Sequence, residues 1–480
     1  MKGLIINKTI LNNIYDFKFL ISSLIVILLL ILGTSMSISN ISLQSKEYNR
    51  FQSLAENEKN LENVKVIKRP NKFIFAHEGG ERNLPQYLIV LPYFVDYPIE
   101  DLSLKPFIEN LQNLDWSFVV GYLFSLIAFL VTYDLVSGEK EKGTLRLLVS
   151  QPISKDSFLF GGFLGALLSL IPFLLIGLII SIIIILFNAN ISFDENDWIK
   201  IFFVIILSFF FISSMVLIGI FTSTVSTKSS TSLIISLIIW VFIAIIIPNG
   251  GVLVSEIISP IPSFKEFEIE LRGAEKIFYS KITLSSIMLR EIYTRRDLSN
   301  AEKRNKVDQL QKKIYRENRQ ALEEYKQDIL KIRKNYLKKL ENQMRLAKIS
   351  SKLSPLSVYM NSIEGIVRTG YAHQLTFFRI AEQYMREYTI YANKMQEELK
   401  DKAKIMGPKI VDEGYEVEGI SWISYKDINF DKSSFPKFPE YNLTISNTFP
   451  IALIDIGILI FFNILFFVLS YVKFLSYDVR

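Results

Sequence analysis

Several groups of residues in this chain have types and spacings that suit chemistry. Gly138 to Thr144, GEKEKGT, comes close to the GxxxxGK(S/T) loop whose backbone amides and lysine cradle phosphates. Thr144 stands where that lysine must be, so no nucleotide site is read here. His77 and Glu78 with Glu81 are metal-ligand types, but the second histidine of an HExxH pair is missing. Gly79, Gly80 and Pro85 surround them, which reads as a solvated loop. Asp455 lies inside an apolar run, where a carboxylate costs roughly 3 kcal/mol at mid-bilayer. It reads equally as part of a substrate or ion path and as an interfacial helix-start acid. An aromatic stripe, Phe377, Phe378, Tyr384, Tyr388 and Tyr391, could stack on a ligand, although helix packing is the commoner cause.

Enzyme classes fall away quickly. No cysteine is present, which removes disulfides, thiolate metal sites and thiol nucleophiles. His77 and His373 are the only histidines, there is no GxSxG elbow, and no carboxylates pair within an apolar run. The chain reads as non-catalytic and as holding no cofactor or metal. Its 54 basic and 48 acidic side chains leave a net charge of +6, and lysines alternate with glutamates, so nucleic-acid binding is discounted.

Half the residues are hydrophobic, and the charges gather in a few blocks. The fold class expected is a polytopic α-helical membrane protein with six transmembrane helices, a small mixed α/β ectodomain and a larger helical-hairpin ectodomain. Residues 1–18 suit an amphipathic helix at the membrane interface. Span 1 covers 19–38; Gly33 to Ser39 would suit leader cleavage, but the apolar core is long enough to span and reads as retained. A first extracytoplasmic domain follows over 40–115, with strand-like runs at Lys72 to Ala76 and Tyr87 to Val95. Spans 2 to 5 cover 116–136, 160–187, 199–221 and 232–254, the last ending in a break at Pro248 to Gly251. A second extracytoplasmic domain occupies 255–448. Periodicity there gives a helix from about Ile282 to Ile349 and another from about Val358 to Lys404, expected to pair as an antiparallel hairpin. Loop and short-strand material fills Gly407 to Tyr441, span 6 covers 449–472, and 473–480 is a tail.

Between spans 2 and 3, residues 137–157 form a short charged connector with a helix-compatible core, Glu139 to Leu148. Lys140, Lys142, Arg146, Lys155 and Lys228 lie on the connectors facing the termini, against Lys200 opposite. That bias puts both termini in the cytoplasm. Glu139 and Glu141 suit the first turn of a helix, and Leu145, Leu147 and Leu148 offer an apolar face that could dock on a soluble partner or stabilise the membrane interface.

Tyr133 to Lys155, YDLVSGEKEKGTLRLLVSQPISK, resembles the segment between spans two and three of type-2 ABC exporter permeases. The close of the chain, FFNILFFVLSYVKFLSYDVR, is similar to the subgroup with a large domain between spans five and six, related to copper-enzyme maturation and gliding-motility permeases. Asp115-Trp116 and Ser354-Pro355 share the likeness. The resemblance implies a bacterial inner-membrane subunit that pairs with a second permease copy or paralogue and with ABC ATP-binding subunits carrying ATP and magnesium. Glu139, Lys140, Glu141, Gly143, Thr144, Leu145 and Arg146 would form the coupling helix, and spans one, two and five would face the pathway. Besides lipid, an envelope or periplasmic partner could engage the ectodomains. Two other functions stay open: mechanical transmission to that partner, and a membrane-anchored receptor or scaffold without an ATPase.

Overall fold

The computed structural model describes residues 2–57, 61, 63–81, 84–92, 94–96, 114–150, 154–187, 192–294, 297, 299–398, 404–406, 409–412, 415–418, 422–424, 434–439 and 445–476. Among these, six helices are long and apolar enough to cross a membrane. After α1 (Lys2–Tyr15), helix α2 runs unbroken over Phe17–Asn57, well past its apolar part. α3 joins Trp116–Phe118, a π-wound Val119–Phe124 and Ser125–Thr132. The connector holds α4 (Ser137–Glu141) and α5 (Leu145–Ser150), followed by α6 (Lys155–Leu186) and α7 (Glu195–Val225). α8 spans Ser229–Ile258, and α13 (Ile445–Leu475) closes the set. About two-thirds of α3 and α7 is buried (67% each), against 22% of α8 and 17% of α13, so α3 and α7 form the centre.

Pro248 does not break α8. Its missing N–H and its ring disturb the preceding turn, and the helix responds by widening to a π turn over Phe242–Ile246. Asn249 Nδ2 donates to Ile245 O (2.7 Å), so one displaced carbonyl is satisfied.

Outside the bundle, β1 (Val64–Ile67), β2 (Tyr87–Val90) and β3 (Val95–Asp96) form an antiparallel sheet with Val64 opposite Val90 and Val66 opposite Leu88. Period-two alternation puts these four side chains on one buried face. Lys72 to Ala76, expected as a strand, is a turn.

The hairpin differs from expectation. Its arms are α9 (Phe264–Thr294) and α10 (Asn300–Ser351), joined through Phe278 stacked on Tyr325 and Phe267 against Tyr336. The lower part of α10 packs on the end of α8. The segment expected as the second arm splits at Arg368 (φ 54°) into α11 (Pro355–Val367) and α12 (Gly370–Glu398). α11 turns back among the spans, against α7 and α13, with every residue but Met360 and Asn361 buried. Its apolar composition allows this, and Tyr359, Ser362 and Glu364 find partners, whereas the Asn361 amide nitrogen has none. Ser354 Oγ donates to Ile243 O (2.6 Å), a carbonyl of the π turn in α8. Ser208 gives its proton to Val204 O and so accepts from both Trp116 Nε1 (3.0 Å) and the Tyr359 hydroxyl (2.9 Å). Leu356 sits over Gly121, in the π turn of α3.

α12 lays Phe377, Tyr384 and Tyr388 on the apolar face of β1–β3, together with Phe435. The aromatic stripe is therefore a core joining the two outer domains. The described strands farther on are β4 (Lys404–Met406), β5 (Lys409–Asp412), β6 (Tyr415–Glu418) and β7 (Trp422–Ser424), paired β4–β7 and β5–β6. Apart from 434–439, the rest of the expected loop and strand region, and the tail from 477, lie outside the described residues.

Candidate functional site

The connector is two short helices with a turn between them, where one helical core was expected. Lys142 N donates to Gly138 O and Gly143 N to Lys140 O, closing α4. Gly143 then takes φ +71°, the left-handed conformation that ends a helix. Nothing lies within 4 Å of where a Cβ would stand, so the dihedral requires glycine and the surrounding space does not.

Three elements hold α4 in place. From α7, Ser223 Oγ accepts from Val136 N and Ser137 N, both at 3.0 Å. Lys140 Nζ reaches past the end of α7 and donates to Thr224 O and, at 3.0 Å, to Ser226 O. At the start of α8, the Glu141 carboxylate accepts from Ser229 N (3.0 Å), an otherwise unpaired amide of a helix N-terminus. From α1, Lys8 pairs with Glu139 (2.9 Å), whose other oxygen accepts from Thr144 Oγ1. α1 is itself tied to α6 by Asn13 Nδ2 to Ser169 Oγ (3.1 Å) and leaves Leu4, Leu11 and Ile14 exposed. Thus Glu139 and Lys140 face inward and Leu145 is buried, while Glu141, Lys142, Gly143, Arg146 and Leu147 face out. No side-chain surroundings are described for Leu148.

Asp455 has a partner at the opposite end of the bundle. Lys352, just after α10, pairs with it at 2.7 Å, and Lys348 pairs with Glu364 of α11 at 2.7 Å. These two pairs fasten the foot of the hairpin to α13 and α11.

The group set aside as a solvated loop is buried instead. Glu81 Oε1 lies 2.8 Å from Lys68 Nζ and 2.8 Å from His373 Nδ1, and Lys68 also donates to Gln374 Oε1 (3.0 Å). Beside this triad, Ser117 Oγ donates to Asp115 Oδ1 (2.8 Å), so His77 Nδ1 must carry the proton of its 2.7 Å contact with Ser117. Asp115 caps α3 through Phe118 N (2.7 Å) and binds Glu78 N (2.8 Å). Lys68, His373 and Gln374 were missed because they have partners remote in the chain, 292 residues for His373 and Glu81. Among the described residues no three His, Cys, Asp or Glu side chains are grouped as metal ligands.

Burial pushes the Glu81 carboxyl up, but the charges and hydrogen bonds of His373 and Lys68 outweigh it and bring it down to about 2 from 4.5. A carboxyl depressed on folding contributes stability that is whole above pH 4.5 and is lost as pH falls through about 2. Acid titration of unfolding should therefore show a wild-type advantage over Glu81→Gln that is flat above pH 4.5 and shrinks between there and about 2. An advantage that grows with acid would contradict the assignment.

Comparison with known proteins bears on the whole chain. The profile of a family described as "ABC-2 family transporter protein" matches residues 4–479. Two curated relatives, each described as "Probable ABC transporter permease protein NosY", are similar over short stretches. That of Pseudomonas aeruginosa is 48% identical over 44 residues, 9% of this chain and 16% of the relative. That of Stutzerimonas stutzeri is 45% identical over 56 residues, 12% of this chain and 20% of the relative. The chain thus spans a fifth or less of the curated relatives it matches.

Proposed function

This chain belongs to the ABC-2 family of transporter proteins, and we propose that it is the non-catalytic transmembrane subunit of an ATP-driven exporter whose ATP is hydrolysed on a separate subunit. One observation carries the reading: the connector is bonded to α1, α7 and α8 and still presents Glu141, Lys142, Arg146 and Leu147 outward. A short helix fastened in this way cannot move without moving the helices that hold it. Glu139 and Lys140 act as its anchors, Gly143 sets the angle to α5, the buried Leu145 seats α5 on the bundle, and Glu141, Thr144 and Arg146 shape the surface that the ATPase grips. The connector and both termini lie in the cytoplasm, and the membrane is a bacterial inner membrane. Spans one, two and five face the central pathway, a second permease copy or paralogue completes it, lipid covers the outer apolar surface, and closure of the ATPases rocks the two halves.

Photocrosslinkers placed at Lys142 and at Arg146 in native membranes test this, with Lys334 of α10 as control. Capture of a nucleotide-hydrolysing protein from the first two positions and not from the control is expected. Capture from neither, together with no ATPase retained in mild detergent, would leave a membrane-anchored scaffold.

Mechanical transmission is the second reading, in which the outer hairpin works on an envelope partner. It is favoured by α2 continuing unbroken to Asn57 and by Asp115 joining the head of α3 to the outer loop at Glu78. ATPase stimulation by an envelope fraction, absent with small substrates and lost on deleting the hairpin, would select it.

A further inference from the structure

Between α10 and α12 the outer domain has a groove of ≈ 260 Å³. Leu337 and Glu341 line it from α10; Tyr371, Gln374, Leu375, Phe378, Arg379 and Glu382 recur at helical spacing along α12. Its size is just under the roughly 300 Å³ at which small-molecule sites begin. Among the described residues, Glu341, Arg379 and Glu382 make no salt bridge, although opposite charges share one groove. Gln374 is buried at 1% exposure, and its Nε2 has no acceptor, while its Oε1 is held by Lys68. A buried amide donor without a partner costs about 1–3 kcal/mol, and a ligand or water can repay that.

We propose that this groove binds a small amino-carboxylate zwitterion, an apolar amino acid or a short peptide of such residues. Charge and shape select that class. The lining carries two carboxylates and one guanidinium, so a ligand with one charge only leaves part of it unmatched. An amine alone leaves Arg379 and the Gln374 amide without an acceptor. An ammonium placed against Glu341 and Glu382, with a carboxylate on Arg379, satisfies both sets at once. Tyr371 and Phe378 supply the wall for an apolar side chain, and an ammonium near their ring faces gains a cation–π term. The floor is rigid, because Gln374 and His373 are fixed by the buried Lys68–Glu81 pair. This assignment does not depend on the ATPase reading.

Calorimetry on the full chain in detergent tests it with L-leucine, leucyl-leucine, N-acetyl-leucine and leucinamide as probes. Saturable binding of leucine or leucyl-leucine is expected, weakened about tenfold or more by N-acetylation, by amidation, and in Glu382→Gln or Arg379→Gln. Both substitutions are at exposed positions, and an unchanged melting temperature confirms folding. The tighter of the two binders distinguishes a free amino acid from a peptide. Absence of saturable binding, or binding that neither the blocked probes nor the two variants weaken, overturns the proposal.

Discussion

Lys68→Met lowers the stability of the outer domains by about 3–5 kcal/mol, the cost of leaving a buried charge without its partner. Lys68, Glu81 and His373 are all nearly inaccessible to solvent, and one carboxylate oxygen serves both the ammonium and the imidazole. Removing the ammonium strands Glu81 beside one histidine and frees the Gln374 carbonyl as well. The loss should appear as a fall in the unfolding midpoint and as faster amide exchange along α12, which the triad ties to the sheet. Lys68→Met combined with Glu81→Gln should recover part of the loss, since the double variant no longer buries an unpaired anion. A change under about 1 kcal/mol in the single variant, as for an exposed pair, would mean the triad is solvated.

Gly143→Val should reduce ATP-coupled transport by about tenfold or more while membrane insertion and the melting temperature stay as in wild type. A side chain at φ +71° costs about 1–2 kcal/mol, and a β-branched one more. The turn relieves that strain by shifting, which swings α5 relative to α4 and spoils the outward surface of Arg146 and Leu147. Gly143→Asn separates this from simple loss of contact, because asparagine tolerates the left-handed region. Transport in the asparagine variant should stay within about threefold of wild type, its residual strain being under about 1 kcal/mol. An asparagine variant as impaired as the valine one would mean that the dihedral is not what matters.

Both outcomes rest on features that were unequally legible in the sequence. The six spans follow from long apolar runs, and the connector stands out because a charged stretch between two spans must sit in water. The hairpin was mispaired because amphipathic periodicity identifies a helix and says nothing of its neighbour. Its true boundary was signalled, since Ser299 and Glu302 form a capping box that starts α10. α11 was hidden inside a longer pattern. Its break uses two left-handed residues, Arg368, for which the local sequence offers no cue, and Gly370, which was a cue left unread. The buried triad lay furthest from view. His373 and Glu81 are 292 residues apart, and an acid directly after Gly79 and Gly80 is locally indistinguishable from loop.

The π-wound turns of α3 and α8 have a further consequence. α3 is fastened at its head through Asp115 and at its foot through Ser223, so neither end turns freely. A π turn carries a surplus residue, and sliding it along the helix re-aims the side chains it passes by roughly 100°. Such migration alters which groups line the space between helices without pulling either attachment loose. Trp240 Nε1 on α8 donates to Ser125 Oγ just beyond the wide turn of α3 (2.9 Å), so the two irregular stretches are yoked and one cannot reset alone.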